Sequence, residues 1–316
     1  MARPRGRPPR VAREPVERPK RTPVPPAEAA MTPKIERAID KVVEAIRKKF
    51  GPEAIYRFNE FGESVIGTYS SGIASVDAMI GIGGFPLAKL VQISGAESVG
   101  KSSFCKWLIA QAQAQGIICY FIDAEISPDS IERAQAFGID VKALLWSEVM
   151  YLEDAFAHAS EAIARLKHSE TPVLIFIDSV AAADMKSSAE RDFDEPGRRA
   201  EKAAFLSANL PKLVQPLKGT KIGIVFINQM RTTANANPYS DPNYEPGGRA
   251  LAHWCHLLIR MQRIGTLKAK GEVYGIKSRL RVKKSKLAPP FRQADIAILF
   301  DGKILPLDEG AGDAED

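Results

Sequence analysis

The segment Gly95-Ala-Glu-Ser-Val-Gly-Lys-Ser102 lies between an apolar run, Leu90 to Ser94, and a helix-like stretch, Ser102 to Gln115. A glycine-rich turn between a strand and a helix lets backbone N–H groups surround phosphates at the positive end of the helix. In this setting Lys101 reaches the β- and γ-phosphates and the Ser102 hydroxyl ligates Mg²⁺. The segment therefore predicts a site for a nucleoside triphosphate with Mg²⁺. The alternative is a flexible glycine loop, which the flanking strand and helix disfavour.

Strand and helix patterns alternate on both sides of this segment. They are Leu90–Ser94, a helix from Ser102, Ile117–Asp123, Ser130–Phe137, Leu152–Leu166, Val173–Asp178, Ala200–Leu213 and Ile222–Asn228. Such alternation predicts an α/β fold with a mostly parallel, twisted sheet flanked by helices and with ligands at the carboxyl ends of the strands. Three further predicted strands, His253–Met261, Ser278–Val282 and Ile296–Phe300, would extend the sheet in antiparallel fashion.

Polar residues follow three of the predicted strands, where this architecture places its active site. Asp178 can hold Mg²⁺ opposite Ser102, and Glu125 can position or deprotonate the water that attacks the γ-phosphate. The amide of Gln229 can sense whether the γ-phosphate is present. Each carboxylate could also be a helix cap or a surface charge, but the neighbouring phosphate loop favours the catalytic interpretation.

Two stretches without helical or strand periodicity follow the strands that end at Asp178 and Gln229. One runs from Lys186 to Glu201 and the other from Met230 to Arg249. Loops of this length in a compact domain are unusual unless they bind something. Their arginines and tyrosines suit the backbone and bases of a single-stranded nucleic acid, and the alternative is two disordered surface loops.

The charge of the chain is concentrated at its start. The formal net charge is +6, and residues 1–26 carry eight Arg or Lys, two Glu and eight of the 22 prolines, which leaves a neutral body. A basic, proline-rich segment with so little apolar content is predicted to be a disordered tail. It lacks the apolar region of a secretory signal, and no apolar run approaches the ~20 residues of a membrane span, so we expect a cytoplasmic protein without membrane contacts.

The predicted organisation has four parts. Residues 1–31 form the tail, 32–62 an amphipathic helix and linker for oligomerisation, 63–304 the ATPase core, and 305–316 a short acidic tail. The helix begins at Thr32-Pro33, an N-cap and first helical residue, and Gly51-Pro52 ends it. Its one apolar stripe packs either on its own body or on a neighbouring subunit. The scattered cysteines, Cys105, Cys119 and Cys255, are predicted to be reduced core thiols.

The chain resembles the bacterial RecA family of homologous recombinases from about Ile35 to Ile304. The segments that carry the resemblance are Gly95–Ser102, Phe121-Ile-Asp-Ala-Glu125, Ile177-Asp-Ser-Val-Ala-Ala182, Phe226-Ile-Asn-Gln229, Gly247-Gly248, Met261-Gln-Arg-Ile-Gly265 and Ala288-Pro-Pro-Phe-Arg-Gln-Ala294, in family order. The resemblance implies a filament that forms on single-stranded DNA with ATP, pairs it with a homologous duplex and exchanges strands. Single-strand-binding or loading proteins are further expected partners.

The resemblance also implies roles for individual residues. The nucleotide cradle would comprise Gly95, Ala96, Glu97, Ser98, Val99, Gly100, Lys101, Ser102 and Ser103, with Asp129 and Phe300 at the adenine. Lys284 and Lys286 resemble two lysines that the family inserts into the ATP site of the next subunit, where two cations would neutralise phosphate charge. Candidate DNA-binding residues are Arg198, Arg199, Lys202, Arg231, Tyr239, Tyr244, Gly247, Gly248 and Arg249.

Three departures from the family pattern stand out. Glu132 occupies the position where the family stacks an aromatic residue on adenine, and the arginines expected on the helix after the first DNA loop are absent near Ala204 and Pro211. A separate C-terminal domain is missing, which makes the chain look like a shortened, bacteriophage-type recombinase. In the tail, Arg5 and Arg7 belong to an Arg-Gly-Arg-Pro core resembling an AT-hook for the minor groove; a nonspecific tether or a partner-binding arm is equally consistent.

The sequence thus predicts a DNA-dependent ATPase and strand-exchange recombinase. Two alternatives share parts of this pattern. A ring-forming helicase or translocase motor has the same core, and a single-strand annealing or mediator protein binds the same DNA without hydrolysing ATP. Glu125 and the Mg²⁺ ligands Ser102 and Asp178 argue against the second.

Overall fold

The computed structural model describes residues 32–52, 54–55, 57, 67–126, 130–189, 198–232, 243–244 and 249–307. The chain divides into two units, Met1–Ser64 and Val65–Asp316. The predicted tails, residues 1–31 and 308–316, lie outside the described residues. Within the described segments, no helix combines the length and the apolar content that crossing a bilayer requires.

The first unit contains one described helix, α1 (Pro33–Phe50). Its ends confirm the sequence prediction, since the Thr32 hydroxyl accepts a hydrogen bond from the backbone N–H of Ile35 (3.4 Å) and Gly51 ends the helix at φ 98°. No residue of α1 is buried, and its apolar residues Ile35, Val42 and Phe50 are about half exposed or more. The exposed apolar stripe of this amphipathic helix is therefore a surface available for packing.

The second unit alternates strands and helices along the chain. Its elements are β1 (Thr68–Tyr69), α2 (Ala74–Ile80), β2 (Phe85–Pro86), β3 (Leu90–Gly95), α3 (Lys101–Ala114), β4 (Ile118–Asp123), α4 (Ile131–Ala136), β5 (Leu144–Glu148), α5 (Leu152–Leu166), β6 (Val173–Asp178), α6 (Lys186–Ala189), α7 (Arg198–Val214), β7 (Ile222–Gln229), β8 (Arg231–Thr232), β9 (Asn243–Tyr244), α8 (Arg249–Trp254), β10 (Leu257–Ala269), β11 (Glu272–Ser285), β12 (Gln293–Leu299) and β13 (Ile304–Pro306).

Nine of these strands form one sheet in the order β13-β12-β11-β10-β3-β7-β6-β4-β5. The pairs from β10 through β3, β7, β6 and β4 to β5 are parallel, whereas β10 to β13 pair antiparallel with one another. This confirms the predicted α/β fold and its antiparallel extension. Strands β3, β6 and β7 are buried almost throughout, as expected for strands covered by helices on both faces.

Two apolar layers hold the helices against the sheet. Helix α3 packs on one face with Ile93, Phe176 and Val225, and α5 and α7 pack on the other with Ile175, Ile224 and Phe226. Successive side chains of a strand point to opposite faces, so each central strand contributes to both layers. All three cysteines are buried in these layers or beside them, as predicted.

Several boundaries differ from the sequence predictions. His253 lies in helix α8 instead of opening a strand, and the following strand begins only at Leu257. The stretches predicted to be irregular contain α6, the first turn of α7 and a small antiparallel pair, β8 with β9. The sequence patterns do not predict strand β5 or helix α2. Both are short, and β5 lies at the edge of the sheet with a mixed burial pattern that resembles a surface loop.

Candidate functional site

The phosphate loop joins β3 to α3 in a backbone conformation that few residues accept. Ser98 and Gly100 have φ values of 56° and 90°. Side chains other than glycine rarely adopt the φ of Gly100, and a Cβ atom there would also lie 2.4 Å from Cδ1 of Ile298 on β12, so glycine is strongly favoured. From β11, the Ser278 hydroxyl donates a hydrogen bond to the carbonyl of Val99 (2.8 Å). The loop is therefore braced from behind by two antiparallel strands.

A cavity of about 310 Å³ opens in front of the loop, a volume at the lower end of small-molecule sites. Its lining residues are Glu97, Ser98, Gly100, Lys101, Ser102, Ser103, Glu125 and Gln229. The structure therefore brings together six residues of the predicted cradle with the predicted hydrolytic glutamate and γ-phosphate sensor.

Lys101 lies folded back over its own loop. Its Nζ atom donates a hydrogen bond to the carbonyl of Ala96 (2.6 Å), and the residue is buried. Burial lowers the pKa of Lys101, and the carboxylates of Asp178 and Glu125 oppose that effect. A partly desolvated ammonium group beside these carboxylates is well placed to meet phosphate oxygens.

Asp178 ends β6 and is almost completely buried, with 2% of its surface exposed. Burial raises its pKa to about 6; a hydrogen bond with the Ser102 side chain and the charge of Lys101 work in the opposite direction, while Glu125 and Asp123 add to the rise. Its Oδ1 atom is buried without a hydrogen-bond partner. An orphaned carboxylate oxygen next to a hydroxyl is a fitting donor pair for Mg²⁺, which prefers oxygen ligands.

Only those two protein donors are needed. Among the described residues there is no cluster of three or more His, Cys, Asp or Glu that could hold a metal ion. Mg²⁺ is usually held in such sites by one or two protein side chains together with substrate phosphates and water. Ser102 and Asp178 therefore fit a cation that arrives with a nucleotide.

Glu125 is held by hydrogen bonds of its backbone and by one of its side chain. Its N–H donates to Oδ1 of Asp123 (2.9 Å) and to the carbonyl of Asp178 (3.1 Å). Its exposed carboxylate accepts a hydrogen bond from Nε2 of Gln229 (2.9 Å between Nε2 and Oε1). Sequence reasoning missed the supporting role of Asp123, although an aspartate two residues before a turn residue is a known turn-forming signal.

Gln229 connects this site to the second predicted DNA loop. It ends β7 opposite Gly95 in the parallel register, and the next backbone N–H, that of Met230, donates to the carbonyl of Gly95 (2.8 Å). Strand β8 begins two residues after Gln229. The first residue of the phosphate loop and the root of the second loop are thus joined directly.

The predicted adenine contacts are only partly described. Phe300 follows β12 and is 66% exposed, and the nearby Gly302 packs so closely on the carbonyl of Ala136 in α4 that a Cβ atom there would lie 2.5 Å from it. Glu132 is in the first turn of α4, where its own backbone N–H and the Ser130 side chain lower its pKa. It is a helix-capping carboxylate. Asp129 lies outside the described residues.

The two lysines predicted to act on a neighbour lie toward the amino end of β3. Lys284 pairs with Leu258, which is level with Gln92, and the N–H of Lys286 donates to the carbonyl of His256. Nζ of Lys284 donates to the carbonyls of Ala252 (2.5 Å) and His253 (2.8 Å), and Nζ of Lys286 donates to the latter carbonyl (3.2 Å). His256 accepts a hydrogen bond from the N–H of Leu90, the first residue of β3 (3.3 Å). The six residues of β3 separate this end from the phosphate loop by roughly 16 Å.

The predicted DNA-binding residues are described unevenly. The backbones of Arg198 and Arg199 lie in the first turn of α7, those of Arg231 and Tyr244 pair across β8 and β9, and Arg249 begins α8. Tyr239, Gly247, Gly248, Arg5 and Arg7 lie outside the described residues. Nζ of Lys202 donates to the carbonyls of Ala181 (3.0 Å) and Ala183 (2.5 Å), which ties α7 to the segment after β6.

The comparisons with known proteins agree with this arrangement. A family model described as the RecA N-terminal domain matches residues 37–305, from α1 to β13. Protein RecA of Sulfurovum sp. (strain NBC37-1) is 35% identical over 271 residues, which cover 86% of this chain and 76% of the relative. Protein RecA of Thermus thermophilus is 34% identical over 272 residues, 86% of this chain and 78% of the relative. Protein RecA of Wolinella succinogenes is 35% identical over 264 residues, covering 84% and 74%.

Proposed function

Because the chain belongs to the RecA family, we propose that it is an ATP-dependent recombinase that forms helical filaments on single-stranded DNA, pairs that DNA with a homologous duplex and exchanges strands. The observation that carries the proposal is the cavity in which Lys101, Glu125 and Gln229 meet, beside Ser102 and the buried Asp178. Together with Asp178, its residues supply the phosphate-binding, metal-binding and water-activating groups that phosphoryl transfer to water uses. Gln229 then leads into a loop suited to DNA.

ATP hydrolysis would use these residues in separate roles. The loop amides and Lys101 would hold the phosphates, and Ser102 and Asp178 would hold Mg²⁺, which neutralises charge that develops on the phosphate oxygens. Glu125 would orient the attacking water and take its proton. Gln229 would contact the γ-phosphate, so that the loop beyond it differs between the ATP and ADP states.

The site is proposed to be completed by a neighbouring subunit. The ammonium groups of Lys284 and Lys286 bond to carbonyls of α8 and not to the phosphate loop of their own chain, so we expect them to contact ATP in another subunit. Two surfaces offer places for such an assembly. One is the exposed apolar stripe of α1, and the other is the sheet edge at β5, where Leu145 and Trp146 are 49% and 37% exposed.

DNA would be bound at the carboxyl edge of the sheet. The segments that follow β6 and β7, adjacent parallel strands, leave the sheet on that edge beside the cavity. Arg198, Arg199, Arg231, Tyr244 and the other predicted residues would contact backbone and bases there, and the tail would capture duplex DNA. The ATP-dependent recombination of these DNA substrates would take place in the cytoplasm. Single-strand-binding or loading proteins would be further partners.

Electron microscopy of the protein with single-stranded DNA and a nonhydrolysable ATP analogue tests the proposal. Open helical filaments are expected, whereas closed hexameric rings would favour the helicase-type motor. A parallel assay should find ATP hydrolysis that increases with single-stranded DNA. DNA annealing without any such hydrolysis would instead identify a mediator protein.

A further inference from the structure

Asp123 is a buried carboxylate that ends strand β4 two residues before Glu125. Only 1% of its surface is exposed, and the cavity is lined by Glu125 but not by Asp123. We infer that Asp123 is a positioning residue for Glu125: its carboxylate fixes the backbone from which the Glu125 side chain extends, and it takes no proton and binds no metal itself. This inference rests on the proposed function, in which Glu125 activates water, and adds to it the residue that places the base.

The Asp123 carboxylate closes a turn at the end of β4. Its Oδ1 atom accepts hydrogen bonds from the backbone N–H groups of Glu125 (2.9 Å) and Ile126 (3.0 Å). An aspartate that bonds the backbone two residues later favours such a turn, and a charged acceptor makes the bonds strong. Ile126 has a φ of 50°, which a β-branched residue rarely adopts. Asp123 therefore stabilises a conformation that the residues of the turn would not adopt readily by themselves.

The same turn is attached to Asp178, the proposed ligand of Mg²⁺. Asp123 and Asp178 are level with each other in the parallel pair of β4 and β6. The main-chain carbonyl of Asp178 accepts hydrogen bonds from the N–H groups of Ala124 (2.5 Å) and Glu125 (3.1 Å). The Glu125 backbone is thus held from two sides, by the Asp123 carboxylate and by the backbone of the metal ligand. These contacts set the distance between the backbones of the base and of the metal ligand.

A general base depends on this kind of support. It must bring an oxygen within about 2.6–3.2 Å of the water it deprotonates, and a displacement of about 1 Å can lower the rate on the order of 10²-fold. Glu125 is exposed, so burial does not hold its carboxylate in place, and the turn decides from which point the side chain extends. Without the Asp123 acceptor, the N–H groups of Glu125 and Ile126 lose a partner, and the turn that carries the base can shift.

The test compares Asp123→Asn with Asp123→Glu in ATP hydrolysis with single-stranded DNA. The first change keeps an acceptor oxygen in place and removes the charge, whereas the second keeps the charge and moves the acceptor by one methylene. For a positioning residue we expect kcat to fall by less than about 10-fold for Asp123→Asn and on the order of 10²-fold for Asp123→Glu and Asp123→Ala. The KM for ATP should stay within about twofold of wild type in all three, because no contact with the nucleotide is lost.

Three controls assign the effect. Asp140→Ala removes an exposed aspartate whose Oδ1 accepts the N–H of Lys142 (2.9 Å) at the same two-residue spacing, and it should hydrolyse ATP at the wild-type rate. Adding Asp123→Ala to Glu125→Gln should lower hydrolysis little further, since the base is already gone. Binding of a nonhydrolysable ATP analogue and thermal unfolding show that each variant is folded.

The opposite order of the two variants, with Asp123→Asn as slow as Asp123→Ala and Asp123→Glu near wild type, would overturn the inference because the charge and not the position would matter. Wild-type rates for folded Asp123→Ala and Asp123→Glu would overturn it too, as would a loss in the double variant as large as in Asp123→Ala alone. If Asp123→Ala does not fold, the order of Asp123→Asn and Asp123→Glu decides. Wild-type protein without DNA-stimulated hydrolysis or filaments would instead remove the proposed function.

Discussion

The two ends of strand β3 place lysines in opposite electrostatic surroundings. At the carboxyl end, Lys101 lies among carboxylates: burial lowers its pKa, and Asp178 and Glu125 counteract that effect. At the amino end, positive groups crowd together. Burial and then the charges of Lys89, Lys286 and Lys284 lower the pKa of His256 to about 4.

The difference supports the proposal that one subunit carries two incomplete halves of an ATPase site. The residues at the carboxyl end of β3 are suited to nucleotide and metal. The charge of Lys101 there is already balanced in part by Asp178 and Glu125. At the amino end, burial and the charge of Lys286 lower the pKa of Lys284, whose ammonium contacts main-chain carbonyls. Such a group gains more from a phosphate than from its present partners. Stacking subunits head to tail would bring the two halves together.

The largest effect on ATP hydrolysis is expected from disrupting the half of the site at the amino end of β3. Lys286→Ala is expected to leave ATP binding by isolated subunits intact and to lower DNA-stimulated hydrolysis on the order of 10³-fold, as loss of an arginine finger does, because the missing charge belongs to a neighbour's site. The matched control is Lys283→Ala, which removes the same charge from the same run of residues and should hydrolyse ATP normally.

Mixing that variant with wild type sharpens the comparison. A subunit that lacks Lys286 disables the site of its neighbour, so activity should fall faster than the fraction of wild-type protein. Activity that falls in proportion to dilution would count against a shared site.

The second largest effect is expected from removing the general base, Glu125, in the half of the site at the carboxyl end of β3. Glu125→Gln keeps the size of the side chain but removes the proton acceptor, so hydrolysis should fall by roughly 10² or more while ATP-dependent filaments persist. Lys101→Ala should weaken nucleotide binding as well. Wild-type rates for Glu125→Gln with single-stranded DNA present would show that another group activates the water.

Asp178 offers a change in stability with a defined pH dependence. Its folded-state pKa of about 6 lies above the unfolded value of 3.8, so its ionised form destabilises the fold above pH 6, and this cost disappears as the pH falls through the folded pKa. Without metal, Asp178→Asn should stabilise the protein at pH 8 by on the order of 2–3 kcal/mol and have little effect near pH 4.

Thermal unfolding in the presence of a chelator measures this effect, which corresponds to an increase in Tm of about 5–10 °C. The same variant should lose Mg²⁺-dependent hydrolysis. A lower melting temperature at pH 8 would mean that the ionised carboxylate stabilises the fold, and that the pKa of Asp178 is not raised in the folded protein.

The smallest effect is expected from the tail, whose basic residues belong to neither half of the proposed site. Eight basic residues limit its share of the salt dependence of DNA binding to a slope of about seven, and partial engagement should give a few. Deleting residues 1–26 should weaken duplex binding, most at low salt and on A·T-rich DNA, with ATP hydrolysis on single-stranded DNA near normal. Equal losses on A·T-rich and G·C-rich duplexes would indicate a nonspecific tether, and no loss would remove DNA binding from its function.

The central sheet can be predicted because its strands are marked by local sequence. The predicted bounds of Val173–Asp178 and Leu152–Leu166 are those of the structure, since apolar runs and helical periodicity are strong in buried elements. Strands β10 and β11 are longer than predicted because they pair with each other through charged stretches, where backbone hydrogen bonds rather than apolar burial hold the pair. The prediction for His253 is wrong because the apolar residues around it give no helical period.

The candidate site likewise has one part that local sequence predicts and one part that depends on contacts between distant residues. Lys101, Ser102, Asp178 and Glu125 can be placed together from sequence because the carboxyl ends of parallel strands meet at one edge. The contact between Glu125 and Gln229 joins residues 104 positions apart and depends on side-chain torsions, which sequence spacing does not specify. The same holds for Lys202, whose ammonium group binds backbone carbonyls although its position in the chain suggests DNA.

Strand β11 has one further consequence. It touches the back of the phosphate loop through Ser278 and reaches Lys284 six residues later. Close-packed, hydrogen-bonded strands transmit displacement along their length. A shift of the phosphate loop in one subunit should therefore move Lys284 and Lys286 of that subunit, which are proposed to contact the ATP site of the next subunit. In a filament, successive hydrolysis events would then be correlated in time and ordered in one direction. The waiting time before hydrolysis at each site would depend on when the adjacent subunit last hydrolysed ATP.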